Sequence, residues 1–259
     1  MFELSIVDTL LLSLFIFIAG FVDSIAGGGG LISVPAYFAF GLPAHVALGT
    51  NKFSSFMGTL TAVFRYYKAG AVKLRVGLWA AIGALFGSAL GAKIALLVSE
   101  KAIQSILIVL VPAILIFLFV KDRVLPHRKE TSGEDTKHLS LKSFMIGALI
   151  GTYDGFFGPG TGTFLTIGFY TFLNLNLINS SANARLANLA SNAGSLVIFL
   201  IHSKVLFPLA IIPGAAGIAG NQFGSSLALK RGDKVIKPFM ALVLVLLLAE
   251  VIRKRFLEG

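Results

Sequence analysis

Two aspartates, an arginine and a lysine stand inside apolar stretches of this sequence, where a charge is costly and marks a functional candidate. Asp23 falls in "GFVDSIAGGGG" and Asp154 in "GTYDGFFGPGT", each just before a glycine-rich break. Arg185 falls in "SANARLANLASNAGS" and Lys52 in "TNKFSSFMGT". Either cation attracts an anion, and the planar donors of Arg185 suit a tetrahedral oxyanion or a carboxylate. The alternative is that both lie near helix ends and extend to lipid headgroups. For Asp23 and Asp154 two roles stay open: capping the helix that follows, or carrying protons and balancing the cations.

The residues around these charges continue the pattern. At 100° per residue, Ser181, Arg185, Asn188, Asn192 and Ser195 fall within about 80° of arc, a polar face on an otherwise apolar helix. Asn51, Ser55, Gly58 and Thr59 make a similar face in the first half, with Lys52 at its edge. Aligning Gly58 with Gly194 sets Lys52 opposite Asn188, and a shift by one sets Asn51 opposite Asn188. The breaks themselves carry Gly28, Gly29 and Gly30 in one half and Gly158, Gly160, Thr161 and Gly162 in the other. Each precedes a helix N-terminus, whose unpaired N–H groups and positive dipole end favour an anion. The expected substrate cavity is therefore lined by Gly28, Gly29, Gly30, Asn51, Lys52, Ser55, Gly158, Gly160, Thr161, Gly162, Arg185, Asn188 and Asn192. Asp23 and Asp154 are the coupling or gating candidates. The same glycines would also serve as tight turns at the membrane surface.

Other chemistry finds no footing. Cysteine is absent, which removes disulfides, thiolate catalysis and thiolate metal ligation. No HExxH, paired-carboxylate or nucleophile-elbow pattern occurs, and neither glycine stretch ends in the Gly-Lys-Ser/Thr of a phosphate loop. The reading is of a protein that is not an enzyme, with no cofactor and no metal site.

The elements that must position these residues are membrane spans. With 56% hydrophobic and 13% charged residues in 259, the chain has more apolar surface than a soluble domain of that size can bury. Apolar runs occupy residues 4–25, 76–98, 102–120, 144–157, 206–229 and 235–252, with another ending at 201, against the roughly 20 residues that span a bilayer. The first run lacks the basic start of a secretory signal, opening with Glu3 and Asp8, and is read as retained. The net charge of +10 sits at the ends of runs, the pattern of cytoplasmic loops and anionic headgroups rather than of a nucleic-acid surface.

A polar segment, residues 121–142, divides the chain into similar halves: residues 1–120 and 143–259 each form a transmembrane repeat, with a cytoplasmic linker between. Asp23 pairs with Asp154, Gly27 with Gly158, and Gly87 and Gly91 with Gly220 and Gly224. Small residues at every fourth position let helices approach closely. Helix-breaking segments at matching places in two halves point to a secondary transporter with its site at the breaks. The fold class expected is an all-α polytopic membrane protein of two tandem repeats, arranged as inverted repeats, each a glycine-tipped helical hairpin plus three transmembrane helices. The positive-inside rule gives the same balance for parallel repeats and keeps the linker cytoplasmic either way.

"GFVDSIAGGGGLISVPAYFAFGLPAHVALGTNK", "GTYDGFFGPGTGTFL" and "ARLANLASNAGSL" resemble the TauE/SafE sulfite exporter family over nearly the whole chain apart from the linker. "YDGFFGPGTG" is most similar to a subgroup known only as probable membrane transporters. The resemblance implies a multi-pass protein of the bacterial cytoplasmic (inner) membrane that exports small sulfur-containing anions such as sulfite or organosulfonates. Its partners would be a small anionic solute and membrane lipids, with no nucleic acid; a homo-oligomer stays open. The rival readings are an anion channel, which would show no counterflow, and a non-transporting membrane scaffold or sensor.

Overall fold

The computed structural model describes residues 4–106 and 138–231. The apolar run 102–120 past residue 106, the run 235–252, the linker up to residue 137, and the basic residues Lys234, Lys237 and 253–255 lie outside the described residues. Those described fold into helices with no strand among them. In chain order these are α1 (Ile6–Ala26), α2 (Gly30–Ala39), α3 (Ala44–Lys68), α4 (Leu74–Leu97), α5 (Leu139–Phe156), α6 (Thr161–Phe172), α7 (Leu177–Ile201) and α8 (Phe207–Arg231). A further helix begins at Glu100 and is described to residue 106. Among the described residues, α1, α4 and α7 are long and apolar enough to cross a membrane.

Local chemistry sets the ends of these helices. The Ser5 hydroxyl accepts from Asp8 N at the start of α1, and Asn176 Oδ1 accepts from Asn179 N at the start of α7. α1 stops where Gly27 enters the left-handed region at φ 83°, and the chain turns into α2 within three residues. Gly158 at φ 93° does the same after α5.

Both halves run long helix, short helix, long helix, long helix, and the register between them follows from the backbone. Gly41 and Asn174, and Gly70 and Ser203, are left-handed residues lying 133 positions apart. α3 and α7, each of 25 residues, share that spacing, so Lys52 corresponds to Arg185. This corrects the register drawn through Gly58 and Gly194, which set Lys52 opposite Asn188. Glycine in one half need not face glycine in the other.

The largest helix contacts join one half to the other: α4 packs on α5, α1 on α8, and α4 on α7. A Cβ on Gly91 would stand 2.0 Å from Thr152 O, and one on Gly220 2.1 Å from Phe17 O, so these backbones touch. The order of contacts gives the helix directions. Gly83, Gly87 and Gly91 meet Phe144, Ala148 and Thr152 in turn, so α4 and α5 run the same way. Gly220 and Gly224 meet Phe17 and Phe21, so α8 and α1 do too. Gly49 at the start of α3 lies against Phe199 and Lys204 at the end of α7, while Asn179 near the start of α7 donates to Ala71 O after α3. α3 and α7 are therefore antiparallel. Outward faces such as Leu10, Leu14, Phe86 and Leu90 stay exposed, as lipid contact requires.

Candidate functional site

The two glycine tips meet each other inside the molecule. Thr163 Oγ1 donates to Ala26 O at 2.6 Å. A Cβ on Gly27 would stand 2.2 Å from the carbonyl carbon of Gly162, and one on Gly30 3.0 Å from Pro159 Cα. Only bare backbone fits at this crossing, and Gly27 also needs its positive φ.

Each tip is closed by its own aspartate. Asp23 Oδ1 accepts from Gly29 N at 3.3 Å, so it caps the start of α2. Thr161 Oγ1 donates to Asp154 Oδ1 at 2.7 Å, and Ser191 Oγ donates to Asp154 Oδ2 at 2.5 Å. Tyr153 OH holds the second tip by donating to Pro159 O at 2.6 Å.

The cations come from the opposite halves. Lys52 on α3 pairs with Asp154 of the second tip: Nζ lies 2.7 Å from Oδ2 and donates to the Asp154 carbonyl at 2.6 Å. Arg185 on α7 pairs with Asp23 of the first tip, its Nη1 3.4 Å from Oδ2. Neither reaches the surface, with Arg185 at 0% and Lys52 at 1% exposure, so headgroup contact is not their role here. The four charges sum to zero, which is what makes their joint burial tolerable.

The two pairs are unequal. Lys52–Asp154 is held by close hydrogen bonds, whereas Arg185 meets Asp23 only at 3.4 Å and its Nε, Nη1 and Nη2 make no well-formed hydrogen bond. A buried guanidinium with its planar fork unfilled is costly in a protein interior and is a ready receptor for an oxyanion. Gly27 and Gly162 flank that fork: Cβ atoms there would stand 2.6 Å from Nη2 and 2.7 Å from Nη1.

Of the other residues read from the sequence, Gly158 lies beside Lys52 Nζ and Gly160 holds the left-handed turn at φ 81°. Gly28 O accepts from Leu31 N at 3.0 Å. Asn51 Oδ1 accepts from Ser55 Oγ at 3.4 Å. Asn188 and Asn192 are buried on α7, and Asn192 Nδ2 lacks a partner. Sequence reasoning missed Ser191, which falls outside the polar arc that contains Arg185, and Thr163. It also missed Asn221, 3% exposed on α8, whose signal was an amide within an apolar run.

The family model for the sulfite exporter TauE/SafE matches residues 12–251. The chain belongs to that family. A Sinorhizobium protein named "Probable membrane transporter protein ORF9" is 36% identical over 235 residues, covering 89% of this chain and 87% of that one. A Haemophilus influenzae "Probable membrane transporter protein" is 33% identical over 91% of each chain. The Escherichia coli "Probable membrane transporter protein YfcA" is 32% identical over 96% of this chain and 93% of its own. Membership of the TauE/SafE family and these names support a membrane transporter. No solved structure matches the chain.

Proposed function

We propose that this protein is a multi-pass secondary transporter of the bacterial cytoplasmic membrane that exports small sulfur-containing or related organic anions, sulfite and organosulfonates among them, by alternating access. The observation that carries the reading is Arg185: wholly buried where the two tips cross, it meets Asp23 only at 3.4 Å and its guanidinium nitrogens lack a well-formed hydrogen bond. An oxyanion there would take two of those nitrogens side by side.

The two halves act as inverted repeats. The opposed directions of α3 and α7 support this, as does the pairing of each half's aspartate with the other half's cation. Rocking one half against the other would loosen one access route while closing its counterpart. Arg65, which reaches Ser226, and Arg75, which bonds Ser140 at 3.2 Å, gather with Lys68, Lys73 and Lys230 at one end, and the positive-inside rule makes that end cytoplasmic.

The test is flux of sulfite, sulfate, sulfoacetate, taurine and acetate in proteoliposomes, with wild type and Arg185→Ala. Saturable movement of a sulfur oxyanion that Arg185→Ala abolishes supports the reading. Movement of none of them, or equal flux by the variant, overturns it.

A further inference from the structure

A second feature lies beside Asp23 and the first glycine tip. Asp23, Ser54, Ser55, Thr59, Gly217 and Asn221 are among the residues that line a partly open cavity of about 20 Å³, room for one occupant the size of a water molecule. Its polar side chains are those of Asp23, Ser33, Ser54, Ser55, Thr59 and Asn221. Thr59 Oγ1 and Asn221 Oδ1 are buried there without a hydrogen-bond partner, at 0% and 3% residue exposure. The Asn221 amide nitrogen donates to Gly217 O at 3.0 Å, and Oδ1 is the acceptor left without a partner. Asp23 supplies the one carboxylate; Ser55 directs its hydroxyl to Asn51 Oδ1 and keeps its lone pairs, while Ser54 donates to Asn51 O and accepts from Tyr37 OH at 3.1 Å, which leaves it one lone pair.

Unfilled acceptors around a single carboxylate suit a hard monovalent cation. Charge balance supports the same occupant. The groups that face Asp23 are Arg185 from α7, Lys52 and Tyr66 from α3, and Asp154 from the second tip, and the four formal charges among Asp23, Asp154, Lys52 and Arg185 cancel. An anion seated on Arg185 leaves the buried cluster one charge negative and takes Arg185 away from Asp23. A cation held by Asp23 restores neutrality and removes the carboxylate from competition for Arg185.

We propose that the cavity formed by Asp23, Ser54, Ser55, Thr59 and Asn221 is the seat of one Na⁺ that binds together with the transported anion. The cation site stands on the cavity and its unfilled oxygens; its coupling to the anion rests on the reading of Arg185 given above. A monovalent anion and one Na⁺ then cross without net charge, so an inward Na⁺ gradient opposes export and net export requires an outward anion gradient that exceeds it.

The experiment is ²²Na⁺ binding to the purified full chain at fixed pH and ionic strength, with choline as the replacing cation. Wild type is expected to bind Na⁺ saturably, displaced by unlabelled Na⁺. Thr59→Val and Asn221→Leu are expected to lose that binding while melting as cooperatively as wild type, and Thr59→Ser, which keeps the oxygen, to retain it. Arg185→Gln, which leaves Asp23 without its cation, is expected to bind Na⁺ at least as well as wild type. Sulfite affinity is expected to be about tenfold tighter in Na⁺ than in choline, within the usual range of site-to-site coupling. No saturable Na⁺ binding, binding unchanged in both Thr59→Val and Asn221→Leu, or a sulfite affinity that follows pH and ignores Na⁺ overturns the proposal. Na⁺ binding without movement of any anion would sink the anion reading and leave the cation site standing.

Discussion

Replacing Lys52 by Met tests whether the Lys52–Asp154 pair is the structural lock of the tip crossing. The pair is 2.7 Å long, with side chains 2% and 3% exposed, so neither water nor lipid headgroups can take over for a missing partner. Met keeps the volume and removes the charge. Asp154 then retains only the Thr161 and Ser191 hydroxyls, and its own carbonyl loses the Lys52 donor. Breaking one side of such a pair typically costs about 3–5 kcal/mol. At roughly 2–4 °C per kcal/mol for a protein of this size, the loss in melting temperature is about 6–20 °C. Removing both charges in Lys52→Met with Asp154→Asn should recover more than half of it, because the desolvation cost goes as well. Arg185→Met should cost less than half as much as Lys52→Met, since Arg185 makes no well-formed hydrogen bond and Asp23 keeps the Gly29 N–H. The assay is tryptophan-independent thermal unfolding of the purified protein in one detergent, all four proteins side by side. A Lys52→Met melt within 2 °C of wild type, on that same scale of roughly 2–4 °C per kcal/mol, refutes the reasoning.

Three further outcomes follow from single contacts. Gly91→Leu places a side chain where even a Cβ would be 2.0 Å from Thr152 O, forcing α4 and α5 apart; a loss of at least about 2 kcal/mol is expected from overpacking, read from the same melts. Ser191→Ala removes one hydrogen bond to an ionised carboxylate and should cost about 1.5–3 kcal/mol, while Ser195→Ala, whose hydroxyl bonds only its own helix, should cost less. The third concerns the latch at the end of α4, where Glu100 accepts from Ala44 N and lies 2.7 Å from His45 Nδ1, tying the start of α3 to the segment after α4. Partial burial pushes the Glu100 carboxyl up, but the hydrogen bonds from His45 and Ala44 outweigh it and hold the group below the usual carboxylate range. A depressed carboxyl stabilises fully above its unfolded pKa, about 4.3, and that stability is lost as pH falls through the folded value. Wild type should therefore lose more stability than Glu100→Gln between pH 5 and pH 3, a window set around that unfolded value; parallel losses would show the latch contributes nothing.

Much of the site was legible because charges and glycines are conspicuous in apolar sequence. Asp23, Asp154, Lys52 and Arg185 stood out as intramembrane charges, and the structure brings all four together. The fourfold glycine spacing at Gly83, Gly87 and Gly91 and at Gly220 and Gly224 identified helix-contact faces, and each meets a neighbouring backbone. What stayed hidden was partnership. Repetition along a chain says which residues correspond, not which touch, so the exchange of cations between halves had no sequence signal. The register drawn through Gly58 and Gly194 was wrong because the left-handed turns, and α3 and α7 with them, repeat at a different spacing, and both glycines pack on equivalent helices, α8 and α4, without being equivalent themselves. Ser191 escaped notice because it reaches Asp154 from outside the polar arc, and Asn221 because two adjacent amides, Asn221 and Gln222, in an apolar helix carry no helical spacing.

The central claim is that Arg185 seats an anion that the protein carries, and counterflow tests it most directly. Proteoliposomes loaded with unlabelled sulfite would be diluted into a trace of ³⁵S-sulfite, with Arg185→Gln as the comparison. The account predicts transient accumulation of label above the outside concentration for wild type and none for Arg185→Gln. Label that only equilibrates in wild type, or accumulates equally in Arg185→Gln, would contradict it.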